Sequence, residues 1–223
     1  MLEVTCFPVS EFQMNAYLVV DQKTRVAAVI DVGIDHSLVV ILSNQHPVPD
    51  LKYVFITHGH VDHAGGLVHL QKQFSVKTFL PLQEKSYFET LPKQGTYLGH
   101  PQLDRPCGII DQYLEDGDEI SIGESILKVL LTSGHTPGHA CYYTEQELFS
   151  GDCLFAGSIG RTDTPGGNSS QMRESLRRFG VLPTSLKVYP GHGPSTLLKN
   201  ELANNYFLGF LRHEGRGSRR EDL

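Results

Sequence analysis

Residues 57 to 63 read Thr57-His58-Gly59-His60-Val61-Asp62-His63 and close the apolar run Tyr53–Thr57. Four side chains with metal-ligand chemistry fall between a buried strand and the start of a helix, where Asp62 is expected as the N-cap. Neutral imidazole and carboxylate oxygen are the donors that zinc and other divalent transition metals prefer. Burying so many polar groups without an ion would be costly. The chain therefore needs a fold in which strand ends open into a polar site, which points to layered α/β architecture with helices covering sheet faces.

The same pattern recurs downstream. Ser133-Gly134-His135-Thr136-Pro137-Gly138-His139 and Pro190-Gly191-His192-Gly193-Pro194 each follow an apolar strand. Between them Ser150-Gly151-Asp152-Cys153 sets one carboxylate beside a glycine, where backbone can approach an ion closely. Asp152 is thus the natural bridging ligand. There are 11 histidines in a chain without tryptophan, and this clustering supplies the chemical reason for the excess. His36, His46, His69, His100 and His213 have no such partner and are expected on the surface or in loops.

Other classes are excluded by composition. The 223 residues suffice for a sizeable core, and a net charge of −6 spread along the sequence offers no footprint for nucleic acid or an anionic membrane. No window approaches 18 apolar residues, and MLEVTCFPVSEF lacks a basic segment followed by an apolar one, so no spanning or targeting segment is expected. Cys6, Cys107, Cys141 and Cys153 stand singly, which fits reduced thiols and a cytoplasmic protein.

Periodicity predicts strands at Leu2–Val9, Ala16–Asp21, Arg25–Ile30, Tyr53–Thr57, Val76–Leu80, Ile120–Ile122, Ser125–Thr132, Cys141–Thr144, Glu147–Ser150 and Lys187–Tyr189. Helices are predicted from Asp35 to His46, after Asp62 through Phe74, over Leu82–Leu91, over Ser169–Phe179 and from Ser195 to Leu211. Pro92 to Asp111, with three prolines and three glycines, reads as a long surface loop, and the polar tail Arg212–Leu223 as disordered. The expected organisation is one domain over 1–211 followed by that tail.

The ordered motifs T-H-x-H-x-D-H, G-H-T-P-G-H, S-G-D and P-G-H-G resemble the metallo-β-lactamase superfamily from Met1 to about Leu211. Gly151-Asp152-Cys153-Leu154-Phe155, Gly160-Arg161-Thr162-Asp163 and Pro190-Gly191-His192-Gly193-Pro194 narrow the likeness to short bacterial glyoxalase II-type hydrolases. The resemblance implies a four-layer αββα sandwich with a metal site at one edge. It gives one ion to His58, His60 and His135, a second to Asp62, His63 and His192, and the bridging position to Asp152. Two divalent ions, zinc first and iron or manganese as alternatives, would share a hydroxide that attacks a small-molecule thioester. Asp62 and Asp152 are the catalytic carboxylates in this scheme.

Arg161 would receive a substrate carboxylate, or else form a structural pair with Asp163. Asp31 would orient a ligand, or else be a strand-end turn carboxylate. The family pattern makes His139 a hydrogen-bonding core histidine. The sequence departs from full-length glyoxalase II in its short stretch after His192 and in Arg161-Thr162-Asp163, where lysine and tyrosine are usual. Alternatives on the same fold are a mononuclear-iron persulfide dioxygenase and a lactonase or esterase.

Overall fold

A computed structural model describes residues 1–47 and 50–211, so the expected tail Arg212–Leu223 lies outside the described residues. The first half of the chain builds one mixed sheet from β1 (Leu2–Val9), β2 (Met14–Asp21), β3 (Val26–Ile30), β4 (Asp50–Phe55), β5 (Lys77–Pro81) and β6 (Gln112–Leu114), in that spatial order. β1 to β3 pair antiparallel, and β3 to β6 pair parallel. The second half adds β7 (Glu119–Ile122), β8 (Ser125–Leu131), β9 (Ala140–Tyr143), β10 (Glu147–Gly151), a small hairpin of β11 (Leu154–Phe155) with β12 (Ser158–Ile159), then β13 (Lys187–Pro190) and β14 (Thr196–Leu197). Its sheet runs β14-β13-β10-β9-β8-β7.

The two-residue period of the strands decides how these sheets stack. In β2, Tyr17 and Val19 point into the apolar layer shared with Leu127, Val129, Tyr142 and Phe149 of the second sheet. Their neighbours Ala16, Leu18 and Val20 point the other way, onto Leu38 and Leu42 of α1 (Ser37–Ser43) and Leu67 and Leu70 of α3 (Leu67–Gln73). In the second sheet Leu130, Cys141 and Leu148 face outward onto Met172, Leu176 and Phe179 of α6 (Ser169–Phe179) and Leu198 of α7 (Leu198–Asn204). The result is the expected four-layer αββα sandwich. Stacked Phe55 and Phe79 rings, 4.7 Å apart, and the buried Tyr142 ring fill its centre. Truncating such a ring to alanine costs about 3–5 kcal/mol.

Three expectations need correction. Pro92 to Asp111 is not one loop, because Pro92 occupies the first turn of α5 (Leu91–Tyr97), where a missing N–H costs nothing, and a short 3₁₀ turn follows at Pro101–Leu103. The closing helix is broken. Thr196–Leu197 pairs as an edge strand, and extended Asn205 ends α7 and caps Phe207 with its side chain. Asp62 is not an N-cap. His60 holds that position, and Asp62 lies in the first turn of α2 (Val61–Ala64) with its carboxylate free for the site.

Candidate metal centre

All seven expected metal-binding side chains converge where the strand ends of both sheets meet. His58, His60 and His135 form one group, and Asp62, His63 and His192 another, each with its candidate ligand atoms within 4.8 Å of one another. Asp152 lies between them. Its Oδ2 faces His135 Nε2 at 3.5 Å and His192 Nε2 at 3.7 Å, while Oδ1 faces His63 Nε2 at 3.3 Å. Gly191 is required here by close approach, since a Cβ on it would sit 2.2 Å from Asp152 Oδ1.

Hydrogen bonds outside the cluster fix which ring nitrogen points inward. His135 Nδ1 donates to the Arg161 carbonyl at 2.8 Å, and His63 Nδ1 donates to Asp31 Oδ2 at 2.8 Å. Thr57 Oγ1 gives its proton to Asp31 Oδ2 and so accepts from His58 Nδ1, at 3.0 Å. His58 and His135 therefore present a bare Nε2, whereas His63 directs its Nε2 at the Asp62 and Asp152 carboxylates. His58 Nε2 and His135 Nε2 both approach His60 Nδ1, at 2.9 and 3.0 Å. One proton on His60 could satisfy only one of two lone pairs, whereas a single cation satisfies three. Buried His63 Nε2 and Asp152 Oδ1 likewise have no hydrogen-bond partner, which is costly without an ion. The donor set fits divalent transition metals.

The electrostatics divide the groups. Burial, reinforced by neighbouring imidazoles, pushes His58 well below the usual histidine range and His60 down to about 4; burial also lowers His135, against the opposing pull of Asp152. For His63 burial acts in the same direction but is outweighed by Asp152, Asp31 and Asp62, and the proton is held well above the ordinary value. His192 is also raised, because hydrogen bonding to Asp62 and the charge of Asp152 overcome its burial. Burial opposes the charge of Asp62 and Asp152, but the facing histidines keep both carboxyls below the usual range.

Asp31 acts through other residues. It sits in the left-handed region at φ 56° although it is not glycine, a strained conformation sustained by hydrogen bonds from Thr57 N, Thr57 Oγ1 and His63 Nδ1. Of its two sequence readings, the orienting one fits. His139 is not among the ligand groups of the described residues. Its Nε2 accepts from Asp152 N at 3.0 Å and its Nδ1 meets Thr132 Oγ1, so it braces the strand end from behind. The Arg161 side chain stays outside the cluster, exposed and paired twice with Asp163, at 2.7 and 3.0 Å. Glu84 and Gln94, which hold the Gly59 peptide, carried no motif signal in the sequence.

The sequence profile of the metallo-beta-lactamase superfamily matches residues 9–192. The chain belongs to that superfamily. It is similar to the hydroxyacylglutathione hydrolase GloC of Haemophilus influenzae, with 31% identity over 93% of this chain and 98% of the relative. Among solved superfamily structures it is similar to TTHA1623 in a di-iron-bound form, at TM-score 0.80 and 32% identity, covering 92% of this chain and 100% of the other. It is also similar to ETHE1 from Myxococcus xanthus, at TM-score 0.75 and 26% identity over 93% and 85%. Superfamily membership and the His/Asp groups together make this a metal-dependent hydrolase fold. Among the described residues no helix is long and apolar enough to cross a membrane.

Proposed function

We propose that the chain hydrolyses a small-molecule thioester of the hydroxyacylglutathione type, with His58, His60 and His135 for one divalent ion, Asp62, His63 and His192 for a second, and Asp152 between them. The observation that carries the reading is the position of Asp152, whose two oxygens face histidines of both groups. Two bound ions would supply hydroxide at neutral pH and polarise a carbonyl. The chain's own part is to keep the inward nitrogens proton-free and to place acceptors. Thr57 and the Arg161 carbonyl do the first for His58 and His135, and Asp31 orients the His63 ring. Asp62, partly exposed and 3.2 Å from His192 Nε2, would serve as a ligand of the second ion and as a catalytic carboxylate with Asp152. Arg161, exposed beside the site, would exchange Asp163 for a substrate carboxylate.

Similarity to GloC along nearly the whole of both chains supports the thioester, and zinc is the proposed metal, with iron or manganese as alternatives. The four cysteines are free, which supports a reducing, cytoplasmic setting. The likeness to ETHE1 favours a second reading, a mononuclear-iron persulfide dioxygenase. The full Asp62, His63 and His192 group favours the two-ion hydrolase. Elemental analysis of the purified protein, with a panel of thioesters, lactones and glutathione persulfide, decides between them. Two ions per chain and thioester turnover without oxygen uptake are expected; one iron and persulfide-dependent oxygen uptake would overturn the proposal.

A further inference from the structure

We infer that Glu84 is a positioning residue that sets the spacing between the two loops carrying His58, His60 and His135, with its buried negative charge matched by the cation those histidines hold. The inference rests on the metal-binding reading above and adds a residue that touches none of the ligands.

Glu84 is fully buried in the 3₁₀ turn Leu82–Glu84 that leads into α4 (Lys85–Phe88). Its Oε1 accepts the N–H of Gly59, at 2.8 Å, between His58 and His60. Its Oε2 accepts Thr136 Oγ1 at 3.0 Å and the N–H of Gly138 at 2.7 Å, just after His135. One carboxylate thus ties two loops that lie more than seventy residues apart in sequence. The opposite side of the Gly59 peptide is held too, since Gln94 Nε2 of α5 donates to the Gly59 carbonyl at 2.6 Å. Nothing separates the turn from the loops. A Cβ at Gly138 would lie 2.2 Å from Glu84 N, and one at Gly59 would lie 2.9 Å from the Phe88 backbone.

Charge makes this more than a structural clasp. All three partners donate, so the ionised carboxylate is the form they satisfy. Among the described residues no lysine, arginine or histidine is ion-paired with Glu84, although an isolated buried anion is costly. Burial raises its carboxyl to about 7, against the lowering effect of the three donors. A cation held by the histidines of the same two loops would offset that cost and favour the ionised carboxylate. Glutamine cannot replace this group. Its amide NH₂ would face an N–H or hydroxyl donor on one side, so one loop would be released.

The test is zinc titration against a competing chelator on wild type, Glu84→Gln and Thr136→Val, followed by kcat and KM on one thioester with and without excess zinc. Wild type should hold two ions. Glu84→Gln should weaken one of the two by about 10–100-fold, as loss of an outer-sphere partner does, and leave the other unchanged. Excess zinc should restore kcat with KM unaltered. Thr136→Val, which removes one tie, should weaken the same ion by a smaller factor and serves if Glu84→Gln does not fold. Equal weakening of both ions, or wild-type affinity at both, would overturn the inference while leaving the two-ion reading intact. A wild type holding fewer than two ions would overturn the two together, and that result is read from the wild type alone.

Discussion

The two halves of the candidate centre are built from similar side chains but opposite electrostatics. His58, His60 and His135 are buried imidazoles whose protons are expelled, on loops pinned by Glu84, Gln94 and the Arg161 carbonyl. His63 and His192 lie among carboxylates and keep their protons, and both Asp62 and His192 reach partial exposure. The first group is preorganised for a cation. The second holds protons that a cation must displace, so it is the half in which ion affinity depends most steeply on pH.

Asp152 faces histidines of both halves, and its removal is the most damaging test of the comparison. Asp152→Ala should lose one ion by elemental analysis and reduce thioester hydrolysis by more than about 100-fold, beyond what outer-sphere losses cost. Two retained ions at full activity would mean that the halves do not depend on a shared carboxylate.

A smaller but sharper effect separates a ligand from its support. His135→Asn should cost an ion, whereas His139→Asn should keep both and lower stability by about 1–3 kcal/mol through the buried bonds to Asp152 N and Thr132. Metal content and thermal unfolding of the two variants make the comparison, and the reverse pattern would exchange their roles.

Proton release distinguishes the halves without mutation. With no metal bound, the raised values of His63 and His192 favour their protonated forms, His63 more strongly. Filling their group should release protons, and occupancy should fall as the pH drops and protons compete harder. His58, His60 and His135 have lowered values, His60 about 4, so filling their group should release none and should persist to lower pH. Calorimetric titration in buffers of different ionisation enthalpy counts these protons. Equal counts at both sites would erase the distinction.

The smallest effect lies at the rim. Arg161→Ala should lower kcat/KM within about tenfold for thioesters bearing a carboxylate and leave neutral thioesters unchanged, because its guanidinium is solvated and already paired with Asp163. Indifference of both substrate types would leave Arg161 as a loop residue whose carbonyl serves His135.

What was legible in the sequence followed from locality. Leu2–Val9 and Ser169–Phe179 match their elements end to end, because burial alternates or recurs within a single segment. The seven metal-binding candidates were visible since each sits in a short motif beside glycine. The orienting role of Asp31 showed through the resemblance of Ile30-Asp31-Val32-Gly33 to a superfamily motif. Glu84 and Gln94 could not be found this way. Each is one polar residue in a segment of ordinary helical character, and its importance comes from loops that only the folded topology brings near. Pro92 misled for a related reason. Proline stops a helix or starts one depending on its place in the turn, and only the backbone beyond it decides which.

The first strands also clasp the last ligand loop. Asn15 N donates to the Gly191 carbonyl at 2.7 Å, its side chain donates to the carbonyls of Pro190 and Gly193, and Tyr17 Oη donates to Pro190. Met14 forms a bridge with His192. These contacts join the beginning of the chain to a segment some 175 residues later, and closing so long a loop costs chain entropy before the contact rewards it. During synthesis His58, His60, Asp62 and His63 emerge long before His192 does. A centre that needs both groups is therefore complete only once the C-terminal half has been made.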